Sequence, residues 1–185
     1  MAATSPPICD FGWKAVDFQL PDTEGRNWTL ESLRASNGLL LMFICNHCPY
    51  VMSIIDRLCR DASEVQRMGF GVAAIMSNDT LAYPDDSPEN MKRIARKHAF
   101  PFPYLFDEMQ SVARAYGAAC TPDFFGFNRT MELQYRGRLD SSGRNPATSD
   151  TRRDLVEAMR LIADTCGGPE HQNASIGCSI KWKEA

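Results

Sequence analysis

The sequence of 185 residues lacks the features by which several broad classes of protein are recognised. It contains no run of lysine or arginine and carries a formal net charge of -3, so nothing indicates a nucleic-acid partner. Its first residues form neither the basic nor the apolar segment of a secretory signal, and no stretch approaches the length of a membrane span. We therefore expect a cytoplasmic protein that binds neither nucleic acid nor membrane.

Two cofactor motifs are incomplete. Gly69 and Gly71 lack the third glycine of a dinucleotide-binding fingerprint. A zinc site usually needs a second close cysteine pair, and none exists, although Cys120 with Cys178 or His171 could complete a set in space. We predict no cofactor and no metal, and a metal- or haem-handling thiol protein stays open as an alternative.

Cysteine is the residue type that the sequence does supply. Seven cysteines are an odd number, which a fully paired secreted framework cannot satisfy internally. A reducing compartment fits better, and there a close pair is more often catalytic or metal-binding than structural. The close pair is Cys45 and Cys48 in the segment FICNHCPYV.

The order of periodic segments predicts an α/β protein with a central mixed sheet flanked by helices on both faces. We divide the chain into an N-terminal arm (1–13), one domain (14–166) and a C-terminal tail that packs on the domain (167–185). The predicted strands are 15–20, 38–45, 70–76, 103–107, 123–128 and 133–139, with a hairpin partner or short helix near 28–34. The predicted helices are 49–68, 88–98, 109–116 and a last one that Ser149 or Asp150 caps and Gly167 ends.

The pair lies where a buried strand passes into a helix. Cys45 follows the apolar run GLLLMFIC, and Pro49 occupies the first turn of the next helix. Free N–H groups and partial positive charge at a helix start favour a thiolate, so we expect a lowered pKa and a reactive Cys45. His47, if protonated, adds positive charge and is expected to make the disulfide less reducing.

Two motifs carry a resemblance to a known family. The segment Cys45-Asn46-His47-Cys48-Pro49 and the later Cys120-Thr121-Pro122-Asp123 resemble those of the thioredoxin superfamily. The opening AVDFQLPDTEGRNWTLESL is similar to the start of its alkyl hydroperoxide reductase/thiol-specific antioxidant (AhpC/TSA, redoxin) branch, and the chain most resembles peroxiredoxin-like redoxins. The resemblance implies a thioredoxin-like fold with an N-terminal β-hairpin extension.

The resemblance also implies a thiol–disulfide oxidoreductase with a redox-active disulfide. Cys45 would be the exposed attacking cysteine, Cys48 the resolving one, and the Thr121–Pro122 bond would be cis. Substrate would be a disulfide or thiol, on a protein or a small molecule, and a partner dithiol would supply electrons. The residues expected to contact substrate are Asn46, Pro49, Thr121 and Pro122.

The sequence departs from both parts of the family. Thioredoxins carry a buried acid on the strand before the pair, but this strand has none, which leaves His47 or water as general base. Peroxiredoxins place a proline and a threonine before the peroxide-reacting cysteine and an arginine near it. If Cys48 is that cysteine, Leu41 and Cys45 replace the first two, and no arginine lies near Cys120. An antioxidant peroxidase thus stays an alternative, and Cys120 and Cys178 are candidate extra redox thiols or structural residues.

Overall fold

The structure is a computed structural model that describes residues 3–7 and 9–184. Its strands are β1 (Ala3–Thr4), β2 (Gln19–Pro21), β3 (Asn27–Thr29), β4 (Gly38–Phe43), β5 (Phe70–Met76), β6 (Tyr104–Phe106), β7 (Cys120–Thr121), β8 (Asp123–Phe127), β9 (Leu133–Tyr135) and β10 (Gly177–Ser179). Its helices are α1 (Leu30–Leu33), α2 (Pro49–Met52), α3 (Ile55–Arg67), α4 (Pro88–Lys97), α5 (Ser111–Ala115) and α6 (Asp154–Thr165). Among these helices, none is long and apolar enough to cross a membrane.

The main sheet has the strand order β6-β5-β4-β8-β9. Strands β5 and β6 run parallel to the chain direction of β4, whereas β8 is antiparallel to β4 and β9 is antiparallel to β8. Every residue of the central strand β4 is buried, as its continuous apolar run predicts for a strand covered on both faces. The predicted α/β fold with a mixed central sheet is therefore confirmed, and β2 and β3 form the expected N-terminal hairpin.

Alternate residues of the sheet divide the interior into two apolar layers. One layer packs β4 residues such as Leu40 and Met42 against α3, α4 and α6. The other packs Leu39, Leu41 and Phe43 against α1, α5 and the hairpin. Both cysteines of the close pair belong to the first layer, at the end of β4.

A second, three-stranded sheet joins the two ends of the sequence to its middle. Strand β10 pairs antiparallel with β1 on one side and with β7 on the other, which places Cys178 opposite Thr121. Gly177 approaches so closely that a Cβ atom there would lie 2.1 Å from the Thr121 carbonyl oxygen. This segment belongs to the predicted C-terminal tail, in which no strand was expected.

We expect Gly177→Ala to lower the free energy of unfolding by about 1–3 kcal/mol, because the new methyl group forces β10 away from β7. Gly167→Ala is the matched control, since a Cβ atom there has no heavy atom closer than 3.7 Å. Urea unfolding of both variants measures the difference. Equal stability of the two variants would show that β10 can move to accommodate the methyl group at no cost in the free energy of unfolding, and would contradict the prediction.

The predicted helix after the cysteine pair is divided in two. The one-turn helix α2 ends at Met52, and α3 begins at Ile55. The Ser53 hydroxyl donates to the Tyr50 carbonyl at 3.1 Å, which gives that carbonyl a partner other than the helix backbone. The apolar residues keep their helical spacing across this break, so the sequence pattern predicts one continuous helix.

Other boundaries were also predicted wrongly: β2 begins at Gln19 rather than at residue 15, and two further differences have an identifiable cause. Helix α6 begins at Asp154 rather than after Ser149 or Asp150, because Arg153 leaves the helical path and its guanidinium binds Asp61. Strand β9 ends at Tyr135 rather than at residue 139, because the backbone N–H of Arg136 donates to the side chain of Gln172.

Candidate redox-active site

The cysteine pair packs against the Thr121–Pro122 peptide bond, which is cis. Cys45 follows the end of β4, and Cys48 is the residue that immediately precedes α2. The Cys45 Sγ lies 3.4 Å from the Thr121 hydroxyl oxygen, and the Cys48 thiol donates to the Thr121 carbonyl at 3.1 Å. One residue therefore contacts both sulfurs, and it lies directly before the cis-proline.

Both cysteines are free thiols and both are buried. Cys45 is 2% exposed and Cys48 is 0% exposed. Strand β10, which pairs with Thr121, lies beside them, and the Cys178 thiol hydrogen-bonds to Cys48. The prediction of an exposed Cys45 is therefore wrong, because Thr121, His47 and Asp86 surround its sulfur.

The two thiols differ in acidity. The Cys48 sulfur accepts a hydrogen bond from the Cys45 thiol, with further bonds from the Cys178 thiol and the Val51 backbone N–H, and these lower the pKa of Cys48 to about 4. Burial and the contact with the Thr121 carbonyl act against the thiolate but are outweighed. Cys48 is therefore the more acidic thiol of the pair.

The expected thiolate at Cys45 is wrong for the same geometric reason. Donating its proton to Cys48 holds the pKa of Cys45 well above its usual range, and burial and the nearby Asp86 carboxylate add to this. Position also matters, because Cys48 and not Cys45 adjoins α2, and a helix of one turn has a weak dipole. The lower pKa of Cys48 therefore comes mainly from hydrogen bonds between thiols.

A buried acid that the sequence analysis missed lies beside Cys45. Asp86 is fully buried, and its carboxylate accepts from the Asn46 backbone N–H at 2.8 Å and from the Asn78 side chain at 2.7 Å. It ends a short 3₁₀ turn, Pro84–Asp86, that precedes α4. The sequence indicates only the general position of Asp86, which lies in the loop after β5. The carboxyl ends of the parallel strands β4 and β5 lie at the same edge of the sheet, so this loop is near Cys45.

His47 faces this acid. Its Nδ1 lies 2.8 Å from Asp86 Oδ2, yet it is not oriented for a hydrogen bond and has no other hydrogen-bond partner. The ring stacks on Tyr83 with a centroid distance of 5.7 Å and an interplanar angle of 3°. The Cys45 sulfur, a His47 nitrogen and an Asp86 oxygen all lie within 4.8 Å of one another.

The other predicted contact residues have different surroundings. The Asn46 side chain is buried, and it donates to the Asp85 carbonyl and accepts from the Tyr104 hydroxyl, so it holds the loop in place. Pro49 is half-buried at the first position of α2.

The two candidate extra redox thiols, Cys120 and Cys178, have different partners. Burial raises the pKa of Cys120, whose thiol donates to the Pro122 carbonyl at 3.5 Å. Burial, followed by its bond to Cys48, raises the pKa of Cys178 to about 11. His171 is exposed, and within the described part of the chain Cys120 forms no metal-binding group with Cys178 or His171.

A cleft of about 390 Å³ opens beside the cis-proline. Its walls include Tyr50, Ile54 and Pro122, with the half-exposed Ile176 from the segment before β10. The Arg144 guanidinium lies over the Tyr50 ring, 5.0 Å from its centroid. The cleft thus combines an apolar wall with a cation, and it includes Pro122, the residue after the one that contacts both sulfurs.

Arg136 is committed to a structural contact. Its guanidinium pairs with the buried Asp123 at 2.9 Å, donates to the Gly117 carbonyl at 2.8 Å and lies over Phe125. Phe125 belongs to the apolar layer on the opposite side of the sheet from the dithiol. Arg136 therefore does not supply the arginine of a peroxiredoxin site.

Comparisons with known proteins identify the family and the fold of this chain. The model of the AhpC/TSA family matches residues 11–138. An uncharacterized conserved protein from Geobacillus kaustophilus is 42% identical, with a TM-score of 0.94, over 100% of this chain and 98% of that one. The hypothetical protein SMc02350 from Sinorhizobium meliloti 1021 is 38% identical, with a TM-score of 0.92, over 98% of this chain and 100% of that one. Among curated protein sequences, none matches.

A more distant structure is a putative thiol:disulfide interchange protein DsbE from Chlorobium tepidum. It is 21% identical with a TM-score of 0.61, over 84% of this chain and 99% of that one. At this identity the likeness concerns the fold, which is thioredoxin-like.

Proposed function

This chain belongs to the AhpC/TSA family, and on that premise we propose that it is a thiol–disulfide oxidoreductase that uses Cys45 and Cys48. The observation that carries the proposal is the contact of both sulfurs with Thr121, directly before the cis-proline. Two thiols held at one point, with unequal acidity, are suited to forming and breaking a disulfide in two steps.

Cys48 is the attacking cysteine in this proposal. Its thiolate attacks one sulfur of a substrate disulfide, forms a mixed disulfide and expels the other substrate sulfur as a thiolate. The low pKa of Cys48 keeps the nucleophile ionised at neutral pH. This reverses the roles that the family resemblance implied, and it follows from the acidities of the two thiols.

Cys45 is then the resolving cysteine. Its proton passes to the Asp86–His47 pair, and the resulting thiolate attacks the Cys48 sulfur of the mixed disulfide. The Cys45–Cys48 disulfide forms as the second substrate thiol leaves, so that one substrate disulfide is reduced and the dithiol is oxidised. Asp86 takes the place of the buried acid that thioredoxins carry on the preceding strand.

We propose that substrates approach through the cleft beside Pro122. The apolar surface of Tyr50 and Ile176 suits a protein or peptide disulfide, and the Arg144 cation favours an acidic neighbour. A partner dithiol would return the oxidised pair to the thiol form. A cytoplasmic site of action remains part of this proposal.

The proposal is tested by trapping the mixed disulfide. A Cys45→Ser variant is expected to stall after the first step and to accumulate a covalent adduct with a peptide disulfide, which mass spectrometry detects at Cys48. A Cys48→Ser variant is expected to form no such adduct. Adduct formation at Cys45 in the Cys48→Ser variant, at the wild-type rate, would refute the assigned roles.

A peroxidase is the second candidate, because a buried thiolate at Cys48 is also suited to attack a peroxide. Cys48 would become a sulfenic acid as the peroxide O–O bond breaks, and Cys45 would then displace water to form the same disulfide. Rapid peroxide consumption by the Cys45→Ser variant in a single turnover, with no adduct from a disulfide, would favour this reaction. Peroxidase activity is the weaker candidate, because Arg136 pairs with Asp123 and lies over Phe125 on the opposite side of the sheet from the dithiol.

A further inference from the structure

Three metal-binding side chains converge on the Cys45 side of the dithiol. The Cys45 sulfur, a His47 nitrogen and an Asp86 oxygen lie within 4.8 Å of one another, and His47 Nδ1 is 2.8 Å from Asp86 Oδ2. Around a tetrahedral zinc ion, with bonds of about 2.0–2.3 Å, ligand atoms lie roughly 3–4 Å apart. Small side-chain movements would therefore bring the three atoms to the spacing that zinc requires.

Two features of this group point to a cation. His47 Nδ1 is buried and has no hydrogen-bond partner, although it faces the other two ligand atoms. Asp86 is fully buried, and among the described residues its carboxylate pairs with no lysine or arginine; its ion-pair partner is His47, whose Nδ1 lies 2.8 Å away without a hydrogen bond. A buried carboxylate is stabilised by a cation, and a metal ion would bind the carboxylate and the imidazole at once.

The carboxylate is also held in a fixed orientation. The Asn46 backbone N–H and the Asn78 side-chain amide each donate to Asp86, one to each oxygen. Such bonds fix the direction of the remaining lone pairs, as in established metal sites where ligands are hydrogen-bonded from behind. His47 is fixed in a comparable way by stacking on Tyr83.

We propose that the reduced protein binds one zinc ion through Cys45, His47 and Asp86. A thiolate, an imidazole and a carboxylate are the ligand types that zinc accepts, and three protein ligands leave a fourth position open. Magnesium and calcium are excluded because they require mainly oxygen ligands. Zinc displaces the Cys45 proton, which passes to solvent, and the resulting thiolate and the Asp86 carboxylate together balance the charge of the ion.

Zinc binding and the disulfide exclude each other in this arrangement. The ion bonds to the Cys45 sulfur, and that sulfur loses its negative charge when a substrate disulfide oxidises the pair to Cys45–Cys48. Oxidation therefore releases zinc, and reduction restores the site. The binding of zinc by the reduced thiols does not depend on the proposed catalytic activity.

Zinc affinity is measured by competition between the reduced protein and a chromogenic chelator. We expect one equivalent of zinc, no binding by the Cys45→Ser variant or the oxidised protein, and at least about 10-fold weaker binding by Asp86→Asn and His47→Gln. His98→Gln is the matched control, because His98 also faces a carboxylate, Asp56, at 3.1 Å and also has a buried, unpartnered ring nitrogen. Unchanged affinity in Asp86→Asn and His47→Gln would overturn the proposal.

Cadmium titration identifies the sulfur ligands directly, even where a variant is unstable. In the wild-type protein the sulfur-to-cadmium absorption band should have the intensity of one thiolate, and Cys48→Ser should retain it. A band from two or three thiolates that Cys48→Ser or Cys178→Ser weakens would instead indicate an all-cysteine site and contradict the proposal. Failure of the mixed-disulfide experiment with zinc binding intact would overturn the redox function alone.

Discussion

Replacement of Cys48 with serine is expected to lower the rate of disulfide reduction by at least about 10³-fold, because it removes the attacking thiolate. In the wild-type protein this rate should stay constant from neutral pH down to mildly acidic pH. It should then fall about tenfold per pH unit below the pKa of Cys48, which is about 4. The rate falls as the pH falls, because the reactive form of Cys48 is the thiolate and acid protonates it. Stopped-flow reduction of a peptide disulfide, measured across this pH range, tests both expectations.

Two further variants test whether the low pKa of Cys48 depends on its hydrogen-bond partners. Cys59→Ser should leave the rate and its pH profile unchanged, because Cys59 lies on α3 outside the site and burial raises its pKa to about 11. Cys178→Ala should move the acidic limb of the profile to higher pH, because it removes a hydrogen bond that lowers the pKa of Cys48. An acidic limb that moves to higher pH in Cys45→Ala but is unaffected in Cys178→Ala would assign the stabilisation to Cys45 alone.

Replacement of Asp86 with asparagine is expected to slow the resolving step by about 10²-fold while leaving the first attack unchanged. Removal of a general base typically has an effect of 10²–10⁴-fold. The loss of negative charge also makes Cys45 easier to ionise, because the carboxylate raises its pKa. The proton nevertheless needs an acceptor in a site that excludes water, so the loss of the base should dominate. Rapid-quench mass spectrometry of the mixed disulfide measures the two steps separately.

Asp85→Asn is the matched control for this prediction. Asp85 is exposed, adjoins Asp86 in the chain and contributes only its backbone carbonyl to the site. It should therefore resolve the mixed disulfide at the wild-type rate. A structural defect in Asp86→Asn would slow both steps, whereas loss of a proton acceptor slows only the second. Normal resolution in Asp86→Asn would assign the proton transfer to His47 or to water.

The fold could be predicted from the sequence where its signals are local. The apolar run of β4 and the proline after Cys48 mark a buried strand followed by a helix, and the structure has both. Strand β10 has only three residues and pairs with β1 and β7, which lie far away in the chain. Such a strand has no periodic pattern of its own, so its existence depends on contacts that a sequence does not display.

The location of the site could be predicted from the sequence, but the acidity of its groups could not. Its two cysteines were identified from their spacing, but the acidity of each depends on which thiol donates to the other. Asp86 lies 40 residues from the Asn46 backbone N–H that it accepts from, so no local motif connects them. The same distance explains why the sequence showed no acid to replace the one that thioredoxins carry.

The pairing of β10 with β7 has a consequence for substrate recognition. An extended substrate chain that bound along the cis-proline would need the backbone groups of Thr121, but Cys178 already pairs with that residue. In the proposed reaction the tail would therefore compete with such a chain for this edge. A substrate that bound along Thr121 would have to displace β10, so the stability of this short strand would set a threshold that weakly binding disulfides do not pass.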